Sequence, residues 1–219
     1  MRAVLSLLGL LSAAAAQTQP ALNTSDITIV KVAHSGNGCP QGTVGTSFSP
    51  DRTTITLSFD AVQLWAGPGY TSRDASKNCQ VQLEMKYPPG WQFAITKSRW
   101  HGYFQLPDGI RAGFYTSFEI SSQDTQVANV PTATLNGTDT VTEQLFNAEG
   151  AVDRELGSMC TPRSYTAGVS DRLLVRDRWS LTRMRSDAYT RDEGWMDDLP
   201  LTQQVELRWQ ACKACSQCF

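Results

Sequence analysis

Apolar and polar positions alternate along most of this chain. In "CQVQLEMKY", Val81, Leu83, Met85 and Tyr87 fall on one side, and Gln80, Gln82, Glu84 and Lys86 on the other. "TITLSFD" does the same with Ile55, Leu57 and Phe59, and "WQFAI" with Trp91, Phe93 and Ile95. "FYTSFEI" places Phe114, Phe118 and Ile120 together. Successive side chains of a strand point to opposite faces, so this period predicts sheets with one face buried and one wet. Further strands are expected near residues 27–32, 141–146, 173–181 and 205–211. In the last, Val205, Leu207 and Trp209 alternate.

The punctuation agrees. Pro88-Pro89-Gly90, Gly67-Pro68-Gly69, Pro107-Asp108-Gly109 and Asn136-Gly137 mark turns between the runs. No long helical stripe interrupts them. The fold class predicted is all-β: an antiparallel β-sandwich, jelly-roll or immunoglobulin-like. Two stretches resist the strand reading. Residues 146–165 are mixed and glycine-containing and read as a long loop. "RSDAYTRDEGWMDDLP" is charged and reads as an exposed loop with at most a helical turn.

The first residues change the setting. "MRAVLSLLGLLSAAAAQTQP" has a basic start at Arg2, an apolar run and an alanine cleavage site before Gln17. It reads as a secretory signal peptide over residues 1–16, with a single domain over 17–219. The apolar run is about half of the roughly 20 residues needed to span a bilayer, and no membrane association is expected. Six cysteines lie beyond the leader: Cys39, Cys79, Cys160, Cys212, Cys215 and Cys218. An even count in an exported chain predicts a disulfide-stapled fold, of which sequence alone permits 15 pairings. Two sequons, at Asn23 and Asn136, suit the same extracellular localisation and imply surface positions. Net charge is −2, or −3 once Arg2 leaves with the leader, too weak a balance for a nucleic-acid binder.

"SGNGCPQGTVG" is the densest local signal. A phosphate cradle would need a helix after it, whereas the stretch from Thr43 to Ser49 has strand character. It is better read as a turn that positions Cys39 for a cross-link to Cys79, at the start of the most regular strand. Such a bridge closes a loop of about 40 residues and contributes roughly 4 kcal/mol on the chain-entropy model.

Several marks occur together: G-x-G-C-P-x-G at Gly36 to Gly42, Asn78-Cys79-Gln80 opening a strand, P-x-G-W-Q-F from Pro88, and G-Y-x-x-L-x-x-G from Gly102. On these the chain resembles a group of small secreted proteins of fungi and some bacteria, catalogued as domain of unknown function forty-three sixty. The match covers residues 27–118 well. It extends more loosely through "GSMCTPRS" around Cys160 to Trp209 and Cys212. The resemblance implies an all-β, secreted, fungal protein and brings no activity with it. It also implies the pairs Cys39–Cys79 and Cys160–Cys212. Cys215–Cys218 is the remaining pair, with an intermolecular bridge as its alternative. Residues 186–199 and the tail from Cys215 depart from the family pattern.

Candidate chemistry is sparse. "CKACSQC" has the spacing of a zinc site or a redox pair, but a disulfide cluster needs only the oxidising compartment. No metal and no cofactor is expected. His34 and His101 stand in no catalytic motif, and no nucleophile elbow is present. Glu84 and Glu119 lie on wet strand faces, where solvated carboxylates are expected. Arg172, Arg176 and Arg178 form an outward row that an anionic glycan could use; Asp171 and Asp177 lie among them and dilute it. Trp91, Trp179 and Trp209 are assigned to the core. Trp65, Tyr70, Trp100, His101, Tyr103 and Trp195 sit near turns or pattern breaks. The first five of these form the candidate ligand surface, on which exposed rings could stack on sugars. The leading reading is a non-catalytic extracellular binding protein for cell-wall carbohydrate or a host surface protein. A secreted polysaccharide hydrolase and a structural cell-wall component are the alternatives.

Overall fold

The fold was obtained as a computed structural model, which describes residues 21–121, 126–137, 144–161, 168–184, 194–196 and 201–212. Among these residues twelve strands are seen: β1 (Thr28–Ser35), β2 (Val44–Phe48), β3 (Thr54–Phe59), β4 (Leu64–Ala66), β5 (Ser76–Tyr87), β6 (Trp91–Phe104), β7 (Ile110–Ile120), β8 (Gln126–Asn136), β9 (Gln144–Gly157), β10 (Val169–Arg183), β11 (Gly194–Met196) and β12 (Leu201–Ala211). They form two five-stranded antiparallel sheets, ordered β1-β5-β10-β7-β8 and β2-β3-β12-β6-β9, with β4 and β11 as a small third pair. The first of these is called here the arginine sheet, the second the tryptophan sheet. The expected all-β sandwich is therefore the fold.

The inner faces are the ones the alternation marked. Ile55, Leu57 and Phe59 of β3, and Val81, Leu83, Met85 and Tyr87 of β5, are all buried. Aromatic rings join the layers: Phe59 of β3 meets Trp179 of β10 edge-on at 5.1 Å, and Tyr87 of β5 meets Phe93 of β6 at 5.7 Å. Trp179 and Trp209 pack in or against this core as expected, while Trp91 is half-buried.

Three expectations fail, each for a local reason. Trp100 is 2% exposed and packs against Phe59, Phe114 and Trp179, so it is no surface ring. The cause is a bulge in β6. Ile95 pairs with Leu207 and Lys97 with Glu206, which leaves Thr96 as an extra residue. One extra residue reverses the parity of everything after it. Before the bulge the inward residues are Phe93 and Ile95; after it they are Ser98, Trp100, Gly102 and Phe104.

The second failure is the loop expected over 146–165, most of which is strand β9. Its inward positions, Phe146 and Ala148, give way to Gly150, so the apolar signal fades along the strand. Only Gly194–Met196 of the charged segment is described, and it pairs as a short strand with β4.

The third concerns Asp171 and Asp177. Both share the inward parity of Leu173, Val175 and Trp179 and are buried, so they do not dilute the outward arginines.

The glycine-rich stretch is a fitted connection. A Cβ on Gly36 would lie 2.3 Å from the carbonyl oxygen of Asn78, and one on Gly38 would lie 2.7 Å from the Trp179 ring. The Asn37 and Asn78 amides clasp one another through backbone N–H bonds of 2.7 and 3.3 Å. His34 Nδ1 lies 3.1 Å from the Cys39 carbonyl. Cys39 and Cys79 are bridged, with Cα atoms 5.5 Å apart. A second bridge joins Cys160 to Cys212, Cα atoms 5.6 Å apart. Cys215 and Cys218 lie outside the described residues, as does the leader.

Candidate functional site

Among the described residues, the outer face of the arginine sheet carries a developed surface feature. Antiparallel pairing lines its wet residues up in crosswise rows. One row runs Ser35, Gln80, Arg176, Ser117, Asn129 across all five strands. The next runs Asn78, Arg178, Tyr115, and the one beyond holds Ser76, Ser180, Gly113 and Thr134. Gly113, Ser117 and Ser180 have little side chain to fill the face. A depression of ≈ 430 Å³ opens over them, with Tyr115, Arg176 and Arg178 around it. A second, of ≈ 300 Å³, continues across Ser35, Asn78 and Gln80, and Arg176 borders both. Together they make a trough across the strands.

Its polar groups are held in place. Arg176 Nη1 donates to Glu119 Oε2 at 2.6 Å. The hydroxyl of Tyr115, a residue 38% exposed, donates to Asn129 Oδ1 at 2.5 Å. Asn129 in turn gives its backbone N–H (2.8 Å) and its amide Nδ2 (3.2 Å) to Asp153. Asp153 reaches β8 because β9 leaves its ladder with β6 over residues 152–155. The Asn129 backbone bond is the main cause that holds the Asp153 carboxyl below its ordinary range. β8 carries its own irregularity between the residues facing Phe114 and Thr116, where Pro131 has no N–H to donate.

Beneath the trough lies a buried polar cluster that spans both sheets. Asp177 Oδ1 accepts from Thr116 Oγ1 at 2.8 Å and from Gln203 Nε2 at 3.3 Å. Gln203 Nε2 also lies 2.9 Å from Ser98 Oγ and 3.1 Å from Thr116 Oγ1. Burial pushes the Asp177 carboxyl up to about 8, against smaller lowering effects of Thr116 and Gln203. Asp177 Oδ2 and Gln203 Oε1 are buried without a hydrogen-bond partner among the described residues. Asp171, at the other end of β10, accepts from the buried Tyr87 hydroxyl, and its carboxyl is raised by burial. Burial also raises the Tyr87 phenol, with Asp171 adding to the effect.

The candidate surface assembled from the sequence does not come together. Trp65 and Tyr70 stack on each other, centroids 5.6 Å apart and planes at 17°, near the small β4–β11 pair. His101 and Tyr103 lie beyond the bulge in β6 and face outward from the tryptophan sheet. Trp100 is in the core, and the side chain of Trp195 lies outside the described residues. Glu84 and Glu119 stand on β5 and β7 with β10 between them, so they are not neighbours. Asn23 and Asn136 are both exposed. Among the described residues no cluster of His, Cys, Asp and Glu is arranged to hold a metal.

Sequence reasoning missed Tyr115 and Asn129. The signal for Tyr115 was present: it is an aromatic residue at the wet parity of "FYTSFEI", between Phe114 and Thr116. Nothing local marks Asn129, whose place in the row depends on strand order.

The family described as Domain of unknown function (DUF4360) matches residues 25–212. An uncharacterized secreted protein of Arthroderma benhamiae is 29% identical over 187 residues, which are 85% of this chain and 72% of that protein. Solved structures are far more distant. A carbohydrate-binding module, TmCBM61, in complex with β-1,4-galactotriose is 9% identical, covers 84% of this chain and 90% of its own, and superposes with a TM-score of 0.28. A structure described as explaining promiscuous specificity in carbohydrate-binding modules of the β-sandwich superfamily is 11% identical, covers 86% of this chain and 60% of its own, with a TM-score of 0.29. At these scores the similarity places no ligand on this chain.

Proposed function

The chain belongs to the DUF4360 family and is a secreted protein, and from that premise we propose that it binds extracellular carbohydrate, without catalysis, in the trough on the arginine sheet. One observation carries this reading: an exposed aromatic ring, Tyr115, stands beside a row of held planar side chains over a floor of small residues. A sugar presents an apolar ring face and a girdle of hydroxyls. An aromatic ring meets the first, and amides and guanidinium groups meet the second. Holding those groups in advance reduces the ordering cost of binding.

Trp65 and Tyr70 support the reading less well, because each covers a face of the other. A hydrolase reading is weaker here too. Glycoside hydrolysis uses two carboxyl groups flanking the bond. The carboxyl group lining the trough, Asp177, is turned into the core. The exposure of Asn23 and Asn136 supports glycosylation at both sequons. We take the mature chain as one domain.

The test is affinity electrophoresis of the secreted chain through gels containing soluble polysaccharides. At least one polysaccharide is expected to retard the protein, and Tyr115→Ala to weaken that binding about tenfold. Unretarded migration through every gel, or retardation that Tyr115→Ala leaves unchanged, would refute the trough as the binding site.

A further inference from the structure

We infer that the ligand of this trough is an acidic polysaccharide, one whose sugars carry carboxylates; this rests on the carbohydrate-binding reading above. The argument starts from charge. Among the described residues, the charged ones lining the two depressions are Arg176, Arg178 and Asp177. Asp177 does not offset the arginines. It is 3% exposed, its side chain points between the sheets, and burial favours its neutral form. Arg176 is already engaged by Glu119, which fixes its guanidinium at the border of both depressions. Arg178 has no carboxylate partner among the described residues and is exposed. Among the described residues the trough therefore presents an unneutralised cation, on a chain whose net charge is −2.

The surroundings narrow the class. Arg178 sits in the same crosswise row as Tyr115 and Asn78, and Gln80 and Asn129 stand one row away. A guanidinium offers a planar fork of donors that matches a carboxylate. The aromatic ring beside it meets a pyranose face. The neighbouring amides both donate and accept, as hydroxyls require. A ring, a carboxylate and flanking hydroxyls are the parts of a uronic-acid residue. Arg176 and Arg178 project from one face of one strand two residues apart, roughly 7 Å along the chain. Of the two, Arg178 is the one left to meet a ligand carboxylate, since Glu119 already engages Arg176.

The experiment is isothermal titration calorimetry on the secreted full chain with three soluble probes: polygalacturonate, its methyl-esterified form and dextran sulfate. Polygalacturonate is expected to bind. Esterification, which removes the charge and keeps the backbone, is expected to weaken binding at least tenfold. Arg178→Gln should weaken polygalacturonate about tenfold. Arg172→Gln, on the same strand face beside Glu84 and not among the residues lining the trough, should leave it unchanged. Equal binding of the esterified polymer, equal or tighter binding of dextran sulfate, or indifference to Arg178→Gln would overturn the assignment to a carboxylate-bearing polysaccharide. If neutral polymers alone bind and Tyr115→Ala abolishes that binding, the trough reading stands and this inference falls. If no polysaccharide, neutral or acidic, binds, both fall.

Discussion

Asp177 is the residue with the clearest physical signature. A carboxyl group taken out of water favours its neutral form, and here burial lifts it from an ordinary value of 3.8 to about 8. The native state thus keeps a proton that the unfolded chain gives up near pH 4. Linkage sets the sign. Stability is unpenalised below the unfolded value, declines as pH rises between the two values, and is flat above the folded one. Asp171, also raised by burial, acts in the same direction. The exposed carboxylates Asp51, Asp74, Glu149 and Asp153 are lowered by their hydrogen bonds, so their effect appears only at more acid pH. Urea unfolding of the wild type is therefore expected to show a loss on the order of a few kcal/mol between pH 5 and pH 8.5. Asp177→Asn keeps the shape, cannot ionise, and should remove most of that slope. An unchanged slope in the variant would show that Asp177 is ionised in the fold. The residue was readable in part from sequence. It shares the parity of Leu173, Val175 and Trp179, and strict alternation alone marks it as inward. What no local pattern reveals is that Thr116 and Gln203 meet it there, with Ser98 bonded to Gln203, because they come from three other strands of two sheets.

At the scale of elements, strands with uniform parity were legible and strands with an irregularity were not. β3, β5, β10 and β12 run without a break in their alternation, and their buried faces match period two. β6 carries Thr96, and everything beyond it, from Ser98 to Phe104, turns the other way. A bulge depends on what the neighbouring strands require, so a strand read alone does not show it. Deleting Thr96 would make Ile95 and Lys97 consecutive against Leu207 and Glu206, a plain alternation in which Trp100 stays inward and Arg99 outward. Arg99 now pairs with Glu149 at 2.8 Å and Glu206 at 2.7 Å on the outer face. The deletion is therefore expected to leave secretion of folded protein largely intact, measured by the yield from culture medium and by near-ultraviolet circular dichroism. A lost spectrum or a collapsed yield would mean that the bulge is needed for more than the parity it sets. β9 shows the other limit. Its inward residues shrink from Phe146 through Ala148 to Gly150, and a strand that buries little leaves little pattern.

At the scale of the whole molecule the cross-links and turns close the sandwich at separate places. Cys39–Cys79 ties the glycine-rich connection to the start of β5. Cys160–Cys212 ties the end of β9 to the end of β12, beside the Pro88-Pro89-Gly90 turn. Gly90 there donates to the Thr161 carbonyl and accepts from the Cys212 N–H, each at 2.8 Å. Sequence separations of 40 and 52 residues put each bridge at about 4 kcal/mol on the chain-entropy model. Replacing Cys39 and Cys79 together by serine is expected to lower stability by about that amount, read from the midpoint of guanidinium unfolding. A loss under about 1 kcal/mol would show that the packed connection, with Gly38 against Trp179, holds the ends together unaided. By itself the sequence determined the all-β class, most inward faces, and the turn that carries Cys39. Those features depend on period two and on backbone chemistry within a few residues. Tertiary structure decided the rest: that Trp100 is core, that Asp177 is buried, and that Tyr115, Arg178, Asn78 and Asn129 share one face. These depend on strand order and register across β1, β5, β10, β7 and β8, where residues 14 to 100 positions apart become neighbours at the spacing of a hydrogen-bonded sheet.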